Sequence, residues 1–319
     1  MFNHDRSSKS VTVAAALAAM LSIAAVGCSS SEESSAASSE GELSNKELAV
    51  VAFDAAFKAR DVASLDTYFS PTFIRHNPLA KTDGTTELKA LIKGLPASFS
   101  YSRHRVFGEG DYVVLHSTYD GLFGAGIKTV GFDLLKFSDG KIVEHWDCLQ
   151  VDPGEYANPH TMVDGPSGID ASASSTEATR KMTVGEGGLI DALFLGNNPG
   201  MKQLPEFIAS EYIQHDPLVP DGISGLMSTF GTPPFDSVKF IAIQLSVVEG
   251  DFAFGRSKMT WNDPSIDGSE NDPAVSCDLF RVKDGIIQEH WDVLQTDPNS
   301  RGKDFAALGK NEAGHTMFE

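Results

Sequence analysis

The stretch Glu144-His145-Trp146-Asp147 recurs unchanged as Glu289-His290-Trp291-Asp292, and its flanks recur with it. Asp139-Gly140-Lys141-Ile142 precedes the first copy and Asp284-Gly285-Ile286-Ile287 the second; Leu149-Gln150 and Leu294-Gln295 follow, each leading to Asp-Pro. The chain reads as one domain written twice. Asp-Gly is a hairpin-turn dipeptide, and the β-branched and aromatic residues after it read as a strand. Alternate strand residues share a face, so Val143, His145, Asp147 and Leu149 are expected on one side and Glu144, Trp146, Cys148 and Gln150 on the other. A histidine beside an aspartate is either a solvated charge pattern or part of a site. Recurrence favours the site, although copies also share features by descent.

Working outward, helices precede strands in both halves. Leu48, Val51, Ala52, Ala55 and Ala56 have helical spacing, with Ser44 and Glu47 in a capping-box pattern. Short helices are expected over 62–69, ended by Pro71, and over 87–95. Strands are expected over 101–107, 111–119, 128–137 and 141–150. The second half repeats the order, with helices over 189–195, 200–209 and 223–230 and strands over 238–248, 252–261, 275–282 and 286–295. Helices followed by a run of antiparallel strands is an α+β pattern. The domains are placed at 44–164 and 180–319, joined by a Ser/Ala/Gly-rich linker over 165–179.

The amino terminus reads as processing signal. Arg6 and Lys9 precede an apolar run from Val11 to Val26, shorter than the roughly 20 residues of a transmembrane helix. It ends at Ala25-Val26-Gly27-Cys28, which resembles a bacterial lipobox, with Ala25 where Leu is commoner. Residues 1–27 are thus expected to be a lipoprotein signal peptide, Cys28 the lipidated residue, and 28–43 a flexible tether, placing the protein outside the cytoplasm and anchored to a membrane. The other reading is a simple secretory signal with Cys28 free.

The formal charge is −19, and removing residues 1–27, whose Arg6 and Lys9 outweigh Asp5 by one, leaves −20. That balance argues against nucleic acid as a partner. Beyond Cys28 the cysteines are Cys148 and Cys277. They are not equivalent positions, since Cys148 aligns with Val293 and Cys277 with Phe132, so they are expected to be small buried side chains rather than a disulfide or metal pair.

Three polar positions persist in both copies: His76/His215, Asp133/Asp278, and the pairs His145-Asp147 and His290-Asp292. Asp133 shares its face with Leu135 and Phe137, where a carboxylate must find a partner or shift its pKa upward. His76 and His215 each stand two residues before a proline, which suits a capping or core residue as well as a ligand contact. His116 has Arg256 as its counterpart, and inward-pointing side chains there would make the two sites differ. Three histidines and two aspartates can bind a divalent metal, but no pair has helical i, i+4 spacing, and no metal is expected. His160-Thr161-Met162-Val163 is echoed by His315-Thr316-Met317-Phe318, each expected to plug its own sheet or a partner subunit.

The order His-Asn/Asp-Pro, Gly-Asp, Asp-Gly-x-Ile-x-Glu-His-Trp-Asp-x-x-Gln and Thr-Met-Phe resembles the SnoaL-like proteins of the nuclear-transport-factor-2-like superfamily. The resemblance implies two cone-shaped domains, each a curved antiparallel sheet wrapped around N-terminal helices and an apolar pocket. It matches the acid/base aspartate of the SnoaL cyclases to Asp147 and Asp292, with Trp where those enzymes carry Arg. It implies chemistry without metal or organic cofactor, and pairing of domains through their sheets, here as an internal pseudo-dimer. The expected function is binding of a small carbonyl-bearing molecule, with aldol-type or isomerase proton transfer by Asp147 and Asp292. His145, His290, His76 and His215 would orient or polarise the ligand, with Asp133, Asp278, His116 and Arg256 completing the pockets. A ligand-binding or structural lipoprotein without turnover is the alternative.

Overall fold

The computed structural model describes residues 43–195, 203–230, 232–264, 268, 271–297 and 314–319. The expected signal peptide, Cys28, all of the expected tether but Leu43 and the start of the helix expected at Gly200 lie outside them. Among the described residues no helix is long and apolar enough to cross a membrane.

Ser44 caps helix α1 (Asn45–Phe53) in the expected capping box with Glu47. A π turn over Asp54–Lys58 extends it, burying Ala49, Ala52, Phe53, Ala56 and Phe57 on one side. Helix α2 (Ser64–Tyr68) is a single turn that passes directly into strand β1 (Phe69–Arg75). The expected helix through Phe69 is corrected here: Phe69 and Phe73 are buried on one face of a strand. Pro71 is tolerated because β1 is an edge strand, where a missing N–H removes no interior ladder bond. Helix α3 (Thr86–Gly94) is followed by β2 (Ser100–Glu109), β3 (Tyr112–Asp120), β4 (Lys128–Ser138) and β5 (Lys141–Val151).

The sheet order is β1-β5-β4-β3-β2, and β1 runs parallel to β5 while the other pairs are antiparallel. The expected all-antiparallel sheet is therefore a mixed one. The second half repeats it: α4 (Thr176–Met182), α5 (Leu204–Phe207), β6 (Ile208–Gln214), α6 (Gly222–Thr229), β7 (Lys239–Glu249), β8 (Phe252–Trp261), β9 (Asp272–Lys283) and β10 (Ile286–Thr296). Its order is β6-β10-β9-β8-β7, again with the edge strand parallel to its neighbour. Helix α4 starts inside the expected linker, at Ser175, whose hydroxyl caps it.

The turns before β5 and β10 are built as the dipeptide demands, with Asp139 and Gly140 at φ 50° and 69° and Asp284 and Gly285 at 54° and 75°. A bulge follows each. Lys136 pairs with Glu144 and Phe137 with Ile142, leaving Val143 as the extra residue; Gln288 is its counterpart. Hence Ile142, not Val143, shares the buried helix-side face with His145, correcting the parity at that position.

One face of each sheet packs on its helices. The other faces meet each other in a single apolar cluster that includes Phe132, Trp146 and Cys148 from the first sheet and Phe254, Cys277, Trp291 and Val293 from the second. Within it Cys148 and Cys277 form a disulfide, with Cα atoms 6.3 Å apart, contrary to the expectation of two unlinked thiols. In a two-fold arrangement a residue faces the partner of a different position, not its own equivalent. The equivalent pair across the axis is Phe132 and Val293, so a lone disulfide between inequivalent positions is what this geometry permits. Gln295 accepts a hydrogen bond from the Leu149 N–H (2.8 Å) and Gln150 from the Leu294 N–H (2.9 Å), a reciprocal lock.

Candidate functional site

In the first domain β5 presents His145 and Asp147 toward the helices, and β4 places Asp133 directly opposite Asp147. Asp133 is fully engaged: the Tyr119 hydroxyl donates to its Oδ2 (2.5 Å) and His145 Nε2 lies 2.9 Å from its Oδ1. The parallel pairing of β1 with β5 sets Arg75 beside His145. The ladder continues through the His76 N–H to the His145 carbonyl, and Asn77 then returns to the cavity side. Asn77 Oδ1 accepts from the Leu79 N–H (2.6 Å), which fixes the amide so that Nδ2 donates to Asp147 Oδ2. Asp147 Oδ1 is buried and has no partner.

These groups line a cavity of about 260 Å³ whose other walls include Phe57, Leu88, Leu91 and Phe123. Arg75 reaches Glu87 at 3.5 Å through Nη1, while its Nε is buried and unpartnered. Burial pushes the Asp147 carboxyl above the usual carboxylate range, opposed by His145 and the Asn77 amide and reinforced by Asp133. Burial also lowers Arg75, with Asp147 and Glu87 opposing. The Tyr119 phenol is held well above its ordinary value by burial and by Asp133, so it remains a donor.

The second domain keeps the frame and changes the lining. His290 Nε2 is 3.2 Å from Asp278 Oδ1, and Ser276 rather than a tyrosine donates to Asp278 Oδ2 (2.8 Å). Gln214 replaces Arg75 and lies 3.2 Å from His290 Nδ1; Asp216 replaces Asn77. Asp216 and Asp292 share a hydrogen bond, and burial raises both, Asp292 well above the carboxylate range with the Asp216 charge as second cause. Two buried carboxyls in contact cannot both ionise, so one proton is held between them. The remaining cavity is about 50 Å³, walled by Phe230, Phe235, Phe240 and Leu226 among others. That suits water rather than an organic ligand. Asp278, His290 and Asp292 bring one ligand atom each within 4.8 Å of one another, a spacing a cation could use, but they are already engaged with one another and with Asp216.

Four expected site residues lie on the opposite face of the sheets. His76 stacks on Trp146 (4.6 Å) and His215 on Trp291 (4.6 Å). Each packs under the tail that follows the other domain's last strand: His76 Nδ1 meets the Thr316 carbonyl at 3.2 Å and His215 Nδ1 the Thr161 carbonyl at 2.7 Å. Trp146 and Trp291 donate to the Glu319 and Asp164 carbonyls, each at 2.9 Å. The tails thus cover the other domain while arginines of their own sheets also hold them. Strand alternation is the reason: Arg75 and Asn77 face the cavity, so His76 between them cannot.

His116 stacks on Phe132 (4.2 Å) and accepts from Arg105 through Nδ1 (3.0 Å); Arg256 donates to Gln244 (2.7 Å) and to the Met317 carbonyl. Both lie in the sheet-to-sheet layer, so the His116/Arg256 difference does not distinguish the pockets. It is compensated instead. Arg105 on β2 holds the first tail through the Val163 and Asp164 carbonyls, and Arg256, on the counterpart of β3, holds the second. Burial and the Arg105 charge push His116 well below its ordinary value, consistent with a neutral acceptor.

Asp133, His145 and Asp147 do come together in one cavity, as do Asp278, His290 and Asp292. Sequence reasoning missed Arg75, Asn77, Glu87 and Tyr119, and in the second domain Gln214 and Asp216. The signal was present in the matched hexapeptides Ile74-Arg75-His76-Asn77-Pro78-Leu79 and Ile213-Gln214-His215-Asp216-Pro217-Leu218, where the residues that differ are the two that face the cavity.

Residues 50–145 match the family described as the SnoaL-like domain, so the first domain is similar to that family. No curated protein matches the chain. Similar solved structures include TsrD from Streptomyces laurentii (24% identity, 34% of this chain and 92% of that one, TM-score 0.30). Two others are an NTF2-like protein of unknown function from Cytophaga hutchinsonii (18%, 36% and 96%, 0.30) and an LEH-like epoxide hydrolase from M. tuberculosis (18%, 33% and 82%, 0.29).

Proposed function

We propose that the first domain binds a small carbonyl-bearing molecule and moves a proton at the carbon next to its carbonyl, with Asp147 as the general acid/base. The observation that carries this reading is the unpartnered Asp147 Oδ1, buried in a cavity of about 260 Å³ that Arg75 also lines. A carboxyl raised toward neutral is a suitable base for such a proton. When Asp147 takes the proton, the C–H electron pair moves onto the carbonyl oxygen, where the Arg75 guanidinium stabilises the enolate. Returning the proton to a different carbon gives isomerisation; attack of the enolate carbon on a second carbonyl gives an aldol product. His145, held by Asp133, tunes Asp147 by charge, and Asn77 aims it.

In this reading the second domain has no reacting pocket of its own, because its cavity is about 50 Å³ and its carboxyls satisfy each other. The tandem then reproduces within one chain the sheet-to-sheet pairing by which related domains dimerise. The protein works outside the cytoplasm, anchored through Cys28, and the Cys148–Cys277 disulfide supports an oxidising compartment.

The test is exchange of α-protons from a panel of small ketones and β-keto esters in heavy water. The wild-type rate should rise with pH through a pKa above the ordinary carboxylate range, and Asp147→Asn should remove it. An exchange rate unaffected by Asp147→Asn would refute the assignment.

A further inference from the structure

We infer that the second domain completes the first domain's site: the groove between the two domains holds the uncharged, apolar tail of a ligand whose carbonyl end sits at Asp147. This rests on the proton-transfer reading above and adds the class of ligand to it. The groove encloses about 410 Å³, with Leu149 and Val151 on the first domain's side and Leu218, Trp261 and Leu294 on the second's. Leu79 and Leu149 line both this groove and the Asp147 cavity, so the two spaces share a wall made of two aliphatic side chains. Leu79 is 54% exposed at this shared wall.

Two features select the occupant. Leu79, Val151 and Leu218 expose 54%, 50% and 42% of their surface around one groove, which is apolar area that a ligand tail would remove from water. Of the described lining residues only Asp263 is ionisable, and Thr296 donates to it at 2.8 Å, so the described lining offers an anionic tail no counter-ion. The reciprocal Gln150 and Gln295 bonds and the disulfide hold the walls at a set separation, so the groove is preformed. A polar cavity that shares an aliphatic wall with such a groove fits a β-keto ester or long-chain ketone better than a compact ketone.

Binding of methyl, butyl and octyl acetoacetate to the full chain, followed by calorimetry alongside α-proton exchange, tests this. Affinity should tighten by roughly threefold to fourfold per added methylene until the groove is filled. Leu218→Asp, a surface change in the second domain, should abolish that gain while leaving methyl acetoacetate binding and exchange unchanged. Leu218→Met should retain the gain. Affinity independent of chain length, or equal weakening of short and long esters by Leu218→Asp, overturns the groove assignment while leaving the Asp147 reading intact. Absence of binding and exchange for every ester removes the reading on which the assignment rests, and the assignment with it.

Discussion

The two domains share a strand order, a turn, a bulge and a histidine-aspartate strand, yet the cavities their described residues enclose differ, about 260 Å³ in the first and about 50 Å³ in the second. In the first, Asn77 satisfies one oxygen of Asp147 and leaves the other unpartnered beside Arg75. In the second, Asp216 takes the place of Asn77 and shares a proton with Asp292, Gln214 replaces Arg75, and aromatic side chains close the cavity to about 50 Å³. A buried carboxyl thus has two stable fates: aimed at a cavity, or paired with another carboxyl. Two substitutions on the strand end before Pro78 and Pro217 separate them.

The sharpest way to break this comparison is to remove each aspartate. Asp147→Asn should lower α-proton exchange by about a hundredfold or more, whereas Asp292→Asn should change it by less than about twofold. Comparable losses in both would restore two working sites. Arg75→Gln, which gives the first domain the second's residue, should slow exchange by about a hundredfold if the guanidinium stabilises the enolate oxygen; circular dichroism should show the fold retained. Cys148→Val with Cys277→Phe makes the sheet-to-sheet face symmetric and should cost about 2–4 kcal/mol in denaturant melts. A stability equal to wild type would mean that the apolar layer alone holds the domains.

The smallest effect is a gain. Both Asp216 and Asp292 titrate above their unfolded values, so the folded chain holds protons the unfolded chain releases. The stability this contributes is complete below the ordinary carboxylate range and declines as pH rises through the raised values. Asp216→Asn, copying Asn77, should therefore stabilise the protein by on the order of 1 kcal/mol at pH 8 and by nothing near pH 3. A gain independent of pH would point to packing rather than to the shared proton.

The eight long strands and the direction of His145 and Asp147 were legible because Asp-Gly marks the turn and the bulge at Val143 lies before the pair. Strands β1 and β6 were not, since each follows a single helical turn without punctuation and β1 contains Pro71. The site was half legible. His76 and His215 attracted notice because they are repeated, but both copies need them for stacking on Trp146 and Trp291 beneath the exchanged tails. The cavity is specified by Arg75 and Asn77, which the second copy does not repeat. The cysteines misled for a related reason, because facing positions across a two-fold axis are inequivalent in sequence.

Hydrogen exchange of the intact protein with and without saturating acetoacetate ester tests the central claim most directly. Protection is predicted over α3, whose Glu87, Leu88 and Leu91 line the Asp147 cavity, with none over α6. Protection over α6, alone or equally with α3, would contradict a single working pocket.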